Sequence, residues 1–573
     1  MRNTARLIAL GAAILVIIFG MIQPIEHDSL WLAAVWAAAP LLLLAAHLSV
    51  HPLAASTQRS VRNLGVLLAI GFVLLSLQLM RQQFVRASEI ANSVYTNEQT
   101  GQTTSNVRRV IDAMKIQRGK IYDRKGTLLV DTRVGVGGLT MRTYPYADIY
   151  RPTSLSNIVG FYSNRYGQSA LESTYDSYLT GESDTFANIQ NTLIGRPRIG
   201  DDLHLTIDAD LQDAVTALLG DRPGSAIVLD PRTGAVLAMV SHPGFDPRGL
   251  ATNPDVDSEM ENGRVSAYWA SINSDVAGQP LINRPTQGRY PPGSTWKTVT
   301  AIGALEHPAE GRPDQIDCPN ERQTEAGAPP VVNAVPNLFN LTGNPTTLER
   351  VYAYSCNTAF AEYAMRLGPD LLADVSAKFD VFRPGDAPTT YANFPDLPTE
   401  PSLLYVDPGF LNQRPALADT GYGQGQMLVT PLQMAMIAAS IANDGVLLQP
   451  YLVERVTRPD GGLVLPHSPR PIRRAMSSQV AATMRSDMRA GVVYGFGKAA
   501  DAVPGVAVGG KSGTAEHGVG TRTHAWFIAI APVEQPRFAV AVMLESGGEG
   551  SSQGAKLAGE VMAAAFATIQ EGP

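Results

Sequence analysis

The apolar residues of this chain are bunched at its start. Three runs, LIALGAAILVIIFGMI from Leu7, LWLAAVWAAAPLLLLAAHLSV from Leu30 and LGVLLAIGFVLLSLQLM from Leu64, fill most of the chain before residue 82, with only short polar breaks. A helix that crosses the hydrocarbon core needs about 20 mostly apolar residues, within a range of roughly 17 to 25. The second run fits well and the outer two are slightly short. A cleaved leader is the simple alternative for the first run, which follows Arg2 and Arg6. No A-x-A-like site follows it, however, and QPIEHDSL leads straight into the next apolar stretch. The pattern predicts a retained membrane anchor with up to three transmembrane helices over residues 1–82.

Charge in the breaks orients that anchor. Arg2 and Arg6 precede the first run, Glu26 and Asp28 separate the first from the second, and Arg59 and Arg62 separate the second from the third. The positive-inside rule then places the N-terminus and the second break in the cytoplasm. Either three crossings or one would put everything after about residue 82 outside, whereas two would not. Arg81 and Arg86 pull weakly the other way, but a long translocated domain is governed less by local charge.

Beyond the anchor the pattern changes. Residues 83–200 are polar and turn-rich, with RGKIYDRKGTLLVDT at Arg118 to Thr132 and GFYSNRYGQSALESTYDSYLTG at Gly160 to Gly181. They carry no catalytic constellation and are expected to form a pedestal. From residue 201 an alternating strand, Leu203 to Ile207, runs into an amphipathic helix with Leu211, Val215 and Leu218 near one face. SAIVLDPRTGAVLAMVS then reads as a hairpin around Asp230-Pro231-Arg232-Thr233-Gly234, and HAWFIAIAP–VEQP–RFAVAVMLES as a second hairpin near the end. Helices dominate between them, for example TPLQMAMIAASIAND, and GAKLAGEVMAAAFATI closes the chain. Strands, then helices, then strands predict an α+β domain over 201–573: an antiparallel sheet assembled from both ends, flanked by helices, with a helical insertion.

Composition narrows the function classes. With 573 residues, several domains are expected. Lys plus Arg number 45 against 52 Asp plus Glu, a net charge of −7, which argues against a nucleic-acid partner. Two cysteines, Cys318 and Cys356, do not make a disulfide scaffold; in an external compartment they could pair, and the sequence leaves that open.

The candidate chemistry begins at RYPPGSTWKT. Pro291, Pro292 and Gly293 do not suit a helix interior, whereas STWKTVTAIGALEH does, so Ser294 is expected at or just inside a helix start. Its amide would lie among the unpaired N–H groups at the positive end of the dipole, able to stabilise an oxyanion. The i, i+3 spacing would bring Lys297 beside its hydroxyl. A serine at a helix start is also an ordinary cap. For Lys297 to act as a base, burial or a second cation must depress its pKa. GGKSGTAE offers Lys511 in a glycine-flanked, strand-like segment along which a substrate backbone could lie as an added strand, although GGKSGT alone also reads as a flexible turn. YSCNTAFAEYA adds Ser355 and Asn357, which could relay protons and hold an amide.

SxxK, SxN and KSG in this order form the signature of serine–lysine acyltransferases. The chain resembles the class B penicillin-binding proteins, the monofunctional peptidoglycan D,D-transpeptidases. RGKIYDRKG and GQSALESTYDSYLTG resemble that family's pedestal, while NRPTQGRYPPGSTWK, LERVYAYSCNTAFA, GYGQGQMLVTPLQMA and KSGTAE resemble its β-lactamase-like transpeptidase domain with an all-helical subdomain. The resemblance implies a location in the bacterial plasma membrane and attack of Ser294 on the carbonyl between the two terminal D-alanines of a stem peptide. Lys297 would be the base, Ser355 a proton shuttle, Asn357 a contact to the substrate amide and Lys511 the electrostatic centre. The amides of Ser294 and Thr514 would form the oxyanion hole, with Ser512, Gly513 and Thr514 binding substrate. β-Lactams would acylate Ser294, no metal or organic cofactor would be needed, and a SEDS-type membrane glycosyltransferase is the implied partner. Two departures stand out: KSG replaces the commoner KTG, and three apolar runs stand where the family normally has one.

Three rivals share parts of this pattern. A serine β-lactamase shares the motifs but normally lacks residues resembling 1–200 here. A β-lactam sensor would combine several membrane helices with such a domain, and no HExxH of the sensor's zinc-protease kind occurs. A scaffold that kept the fold without the chemistry would tolerate loss of Ser294 or either lysine.

Overall fold

The structure, a computed structural model, describes residues 2–23, 28–49, 56–82, 113–182, 198–389, 391–518 and 520–569, with a few isolated residues between 86 and 111. The break holding Glu26 and nearly all of the expected start of the pedestal lie outside the described residues. Residues 1–113 and 114–573 form two separate units.

In the first unit the three apolar runs are helices α1 (Arg2–Met21), α2 (Asp28–Ser49) and α3 (Ser56–Met80), each long and apolar enough to cross a membrane. Glycine lets α1 and α2 touch: a Cβ on Gly20 would lie 2.7 Å from the Ala34 Cβ and 2.9 Å from the Trp31 ring. The Trp31 indole donates to Gln78 Oε1 at 2.6 Å, joining α2 to α3. Buried Arg81 donates to the Gly20 carbonyl at 3.1 Å, with its guanidinium 5.2 Å from the Trp31 ring. The C-terminal ends of α1 and α3 therefore meet the N-terminal end of α2, the arrangement that three antiparallel crossings require.

The second unit contains two main sheets. The first draws strands from three distant segments: β1 (Ile121–Tyr122), β2 (Leu128–Val134), β3 (Thr140–Thr143), β4 (Asp202–Leu205), β7 (Val453–Thr457) and β8 (Leu463–Pro466), in the order β8-β7-β4-β1-β2-β3. Strand β4 lies at its centre, parallel to β1 through Ile121–Leu203 and antiparallel to β7. The chain near residue 200 is thus the interior of a sheet that returns to be completed by residues 453–466, and not a linker. Beside this sheet Glu172 is fully buried between two arginines, accepting from Arg118 Nε at 2.8 Å and Arg142 Nε at 2.6 Å, while Arg118 also reaches Asp176 at 2.6 Å.

The second sheet contains β5 (Gly224–Leu229), β6 (Val236–His242), β9 (Gly509–Ala515), β10 (His524–Ala531) and β11 (Phe538–Leu544), antiparallel throughout, in the order β6-β5-β11-β10-β9. Both ends of the domain build it, as the sequence predicts. Its central strands read as continuous apolar runs because both faces are covered. Val540, Val542 and Leu544 face a core with α4 (Ala209–Leu219) and α11 (Ala555–Thr568), while Ala539, Ala541 and Met543 face the larger core containing Trp296, Val299 and Ile437. The helical body between the strands includes α5 (Lys297–Glu306), α6 (Leu348–Ala353), α7 (Asn357–Ala377), α8 (Arg414–Gly421), α9 (Pro431–Ala442) and α10 (Ser478–Val493). Side chains cap their starts: Thr430 accepts from the Gln433 amide at 3.2 Å with Pro431 at the first helical position, and Ser477 accepts from the Val480 amide at 3.3 Å.

Candidate active site

The turn holding Ser294 exists because three backbones come into contact. A 3₁₀ turn, Gly293–Trp296, runs directly into α5, and Gly293 has φ 54°, the left-handed region that favours glycine. A Cβ there would sit 2.6 Å from the Thr514 carbonyl oxygen, one on Gly513 would sit 2.8 Å from Thr295 Cγ2, and one on Gly423 would sit 1.9 Å from the Gly293 carbonyl oxygen. The serine turn is therefore wedged between β9 and the GYGQG loop. Thr295 Oγ1 donates to the Pro292 carbonyl at 2.7 Å and the Trp526 indole to the Pro291 carbonyl at 3.0 Å, pinning the turn from both sides. Ser294 is not the cap: Pro292 occupies the cap position of the turn. Its hydroxyl opens into a cleft of about 800 Å³ that is also lined by Ser355, Asn357, Ser512 and Thr514.

The two lysines stand behind that lining. Lys297 is 0% and Lys511 2% exposed. Lys297 Nζ donates to the Ser355 carbonyl at 2.7 Å, Ser355 Oγ at 3.0 Å and Asn357 Oδ1 at 2.6 Å. Lys511 Nζ donates to the same Ser355 Oγ at 3.0 Å and to the Ser512 carbonyl at 2.9 Å. One hydroxyl thus bridges two amines. Burial, and secondarily the Lys511 cation, holds Lys297 well below the usual lysine range, and burial brings Lys511 down to about 7.

One expectation takes a different form. Among the described residues no hydrogen bond joins Lys297 to the Ser294 hydroxyl; the amine faces Ser355 and Asn357 instead. A buried ammonium has three N–H donors to satisfy, and the SxN turn supplies three acceptors. Loss of one proton would free a lone pair on Lys297, and catalytic hydrogen bonds commonly tighten only when substrate is present. Asn357 Nδ2, expected to face a substrate amide, donates to the Val332 carbonyl at 2.9 Å on the cleft lining.

Ser355 lies in a left-handed turn with φ 56°, strained for a serine and held by the start of α7 behind it. Cys356, the middle residue of Ser355-Cys356-Asn357, is disulfide-bonded to Cys318. The pairing that the sequence leaves open therefore staples the SxN turn to the segment before the Pro329–Leu338 lining. Among the described residues strand β9, carrying Lys511, Ser512, Gly513 and Thr514, pairs only with β10 and forms an edge of the sheet, as an added substrate strand requires. Sequence reasoning missed Tyr352 and Thr298, whose hydroxyls meet at 2.9 Å beneath the lysines, with the Lys511 amine 5.7 Å from the Tyr352 ring. Both sit in apolar runs that read as plain helix core.

Against known proteins this geometry has clear counterparts. Residues 224–567 match the penicillin binding protein transpeptidase domain, and residues 118–203 the penicillin binding protein A dimerisation domain. The chain belongs to the penicillin-binding protein transpeptidase family. It is 34% identical over 487 residues to the peptidoglycan D,D-transpeptidase PbpA of Mycolicibacterium smegmatis, covering 82% of this chain and 92% of that one. The penicillin-binding protein A structure from M. tuberculosis, a ceftriaxone acyl-enzyme complex, superposes with a TM-score of 0.69 at 32% identity, over 80% of this chain and all of that one. Its penicillin G acyl-enzyme complex gives a TM-score of 0.67 over 79% of this chain. The antiparallel sheet, the helical body and the three motifs of this penicillin-binding protein are thus set in a known scaffold, on which relatives form covalent adducts with β-lactams.

Proposed function

We infer that this penicillin-binding protein is a serine-type peptidoglycan D,D-transpeptidase that cross-links stem peptides in bacterial cell-wall synthesis. The observation that carries the reading is the Ser355 hydroxyl shared by two buried lysines beside a serine whose own hydroxyl is free to react. Ser294 attacks the carbonyl between the two terminal D-alanines, forming an ester as the C–N bond breaks. The proton passes from Ser294 through Lys297 and Ser355 to the departing D-alanine amine. A neighbouring stem peptide's amine then attacks the ester, forming the cross-link and returning a proton to Ser294. Lys511 keeps the pair of amines from both being charged, Ser512 and Thr514 receive the terminal carboxylate, and Gly513 leaves room for the serine turn. Preorganised groups of this kind commonly supply several kcal/mol of transition-state stabilisation.

The same reading assigns residues 1–82 to the membrane anchor, 83–200 to the core of the pedestal and 201–573 to the transpeptidase domain. It places the catalytic domain on the extracytoplasmic face, supported by Arg2, Arg6, Arg59 and Arg62 on the cytoplasmic side. Strand polymerisation then falls to a membrane glycosyltransferase of SEDS type docking on anchor and pedestal, which co-purification from membranes tests. For the chemistry, fluorescent penicillin should label the full-length protein, with intact mass showing one adduct, and Ser294→Ala should abolish it. Labelling that survives Ser294→Ala would overturn the assignment. An acyl-enzyme released within seconds would instead mark a β-lactamase.

A further inference from the structure

An aromatic ring lies under each of the two buried amines. The Lys297 amine sits over the Phe360 ring, 5.6 Å from its centroid, and the Lys511 amine over the Tyr352 ring at 5.7 Å. Both rings are fully buried, with their centroids 6.4 Å apart, and neither lines the cleft. Tyr352 stands on α6, three residues before Ser355, and Phe360 on α7, three residues after Asn357, so the SxN turn carries one ring on either side. Each ring is fixed from behind. Tyr363 meets Phe360 edge-on at 5.6 Å, and the Tyr352 hydroxyl meets Oγ1 of Thr298, the residue after Lys297, at 2.9 Å. Burial keeps the Tyr352 phenol protonated, opposed by Thr298 and aided by the charge of Asp487 on α10, on which Glu349 of α6 acts in turn.

Buried rings on helices are ordinary core. What sets these apart is that each lies beneath an amine which, among the described residues, has no carboxylate partner. Burial drives both amines towards neutrality, and a ring face pulls the other way, the more strongly because the cation is desolvated. The two distances are nearly equal, so the two pulls nearly cancel across the Ser355 hydroxyl that joins the amines. Resting on the transpeptidase reading, we propose that Phe360 and Tyr352 are positioning residues that balance one proton between the two lysines, Phe360 favouring it on Lys297 and Tyr352 favouring it on Lys511. The step they govern moves H⁺ alone: an N–H bond on one amine breaks and one on the other forms, through Ser355 Oγ, with no change in total charge.

The balance predicts shifts of opposite sign. The measurement is the rate at which fluorescent penicillin acylates Ser294 across pH, in the full-length protein in detergent. In Phe360→Leu the charged form of Lys297 loses its ring, and the rising limb should move down by about 0.5 to 1.5 pH units. In Tyr352→Leu the proton passes from Lys511 towards Lys297, and the limb should move up, by a smaller amount because the effect acts through the coupled amine. Tyr352→Phe keeps the ring and should keep the wild-type limb. Loosened packing would lower the plateau without moving the limb in two directions. Pentafluorophenylalanine at either position keeps the ring's shape but removes its negative face, and should move the limb as leucine does there, so the test survives a leucine variant that does not fold. Shifts of the same sign, no shift, or a Tyr352→Phe limb displaced as far as that of Tyr352→Leu overturn the proposal. If wild type is labelled at Ser294 and the limb stays put in the variants, only the ring assignment fails. If wild type is not labelled, the transpeptidase reading fails first.

Discussion

The protein buries paired cations in two places and treats them in opposite ways. Beside the six-stranded sheet, Arg118 and Arg142 close on fully buried Glu172, with Asp176 as a further partner. Burial alone would pull Arg118 down, but the two carboxylates more than offset it and the guanidinium is held more firmly charged than usual. In the cleft, Lys297 and Lys511 are equally buried, yet their partners are a hydroxyl, an amide oxygen and carbonyls, with no carboxylate. There burial wins and both amines are driven towards neutrality. The chemistry of the partner, and not the depth of burial, decides whether a buried cation is a strut or a base. Arginine suits the first task because it does not deprotonate, and lysine the second because it can.

The largest expected effect breaks the lysine side. Lys297→Met should lower the rate of β-lactam acylation of Ser294 by about 10²- to 10⁴-fold, the usual worth of a positioned base. Stability should fall by about 1–3 kcal/mol, since the Ser355 carbonyl, the Ser355 hydroxyl and the Asn357 amide oxygen lose their donor. Lys511→Met should move the rising limb of the acylation pH profile upward, because a cation that depresses Lys297 is gone. The limb should stay below 10.5, because burial remains the larger cause. Stopped-flow acylation across pH checks both, and an unshifted limb would separate the lysines. Breaking the arginine side should do the reverse. Glu172→Gln leaves two buried guanidinium groups short of a charge and should cost about 3–5 kcal/mol of stability. Protein that remains folded should acylate at the normal rate. Thermal unfolding paired with penicillin labelling distinguishes the outcomes.

How much of this contrast could be read from the sequence depends on the same physics. The lysines were legible because SxxK and KSG are local patterns, and the catalytic sheet because its strands are apolar and joined by marked turns. The arginine cluster was not, since Arg118, Arg142 and Glu172 meet only through the fold. Nor was the six-stranded sheet: β1 has two residues, and β7 reads VERVT, which no apolar pattern marks as a strand. The direction of Lys297 depended on where Ser355 and Asn357 would stand once their turn took a left-handed residue, a matter of packing and not of spacing. The cysteine pairing likewise needed both segments brought to one side of the cleft.

That pairing supplies the next test in size. The Cys318–Cys356 bond closes a loop of sequence separation 38, worth about 3–4 kcal/mol on the chain-entropy account. Replacing both cysteines with alanine should lower Tm accordingly. Because Cys356 separates the two residues that hold Lys297, it should also slow acylation, which a purely distant staple would not do. Labelling kinetics at a temperature where the variant is fully folded checks the second half.

The smallest effect on acylation sharpens the comparison with an anion. Asp487, on α10 and 3% exposed, has no ion pair or hydrogen bond among the described residues, and its Oδ2 is unmatched. Burial, with Glu349 as a lesser like charge, pushes its carboxyl up to about 7 from 3.8. Like the lysines it is driven towards neutrality by burial with no opposite charge as a partner, but it does not line the cleft. Between pH 3.8 and about 7 the native state holds a proton that the unfolded chain releases, so stability falls as pH rises through that window. Asp487→Asn removes the penalty and should stabilise the protein by about 4 kcal/mol at pH 8, and hardly at all below about pH 4. Acylation at pH 8 should be unchanged. If it fell instead, Asp487 would belong with the lysines as part of the machinery, and the division between struts and bases would have to run through α10.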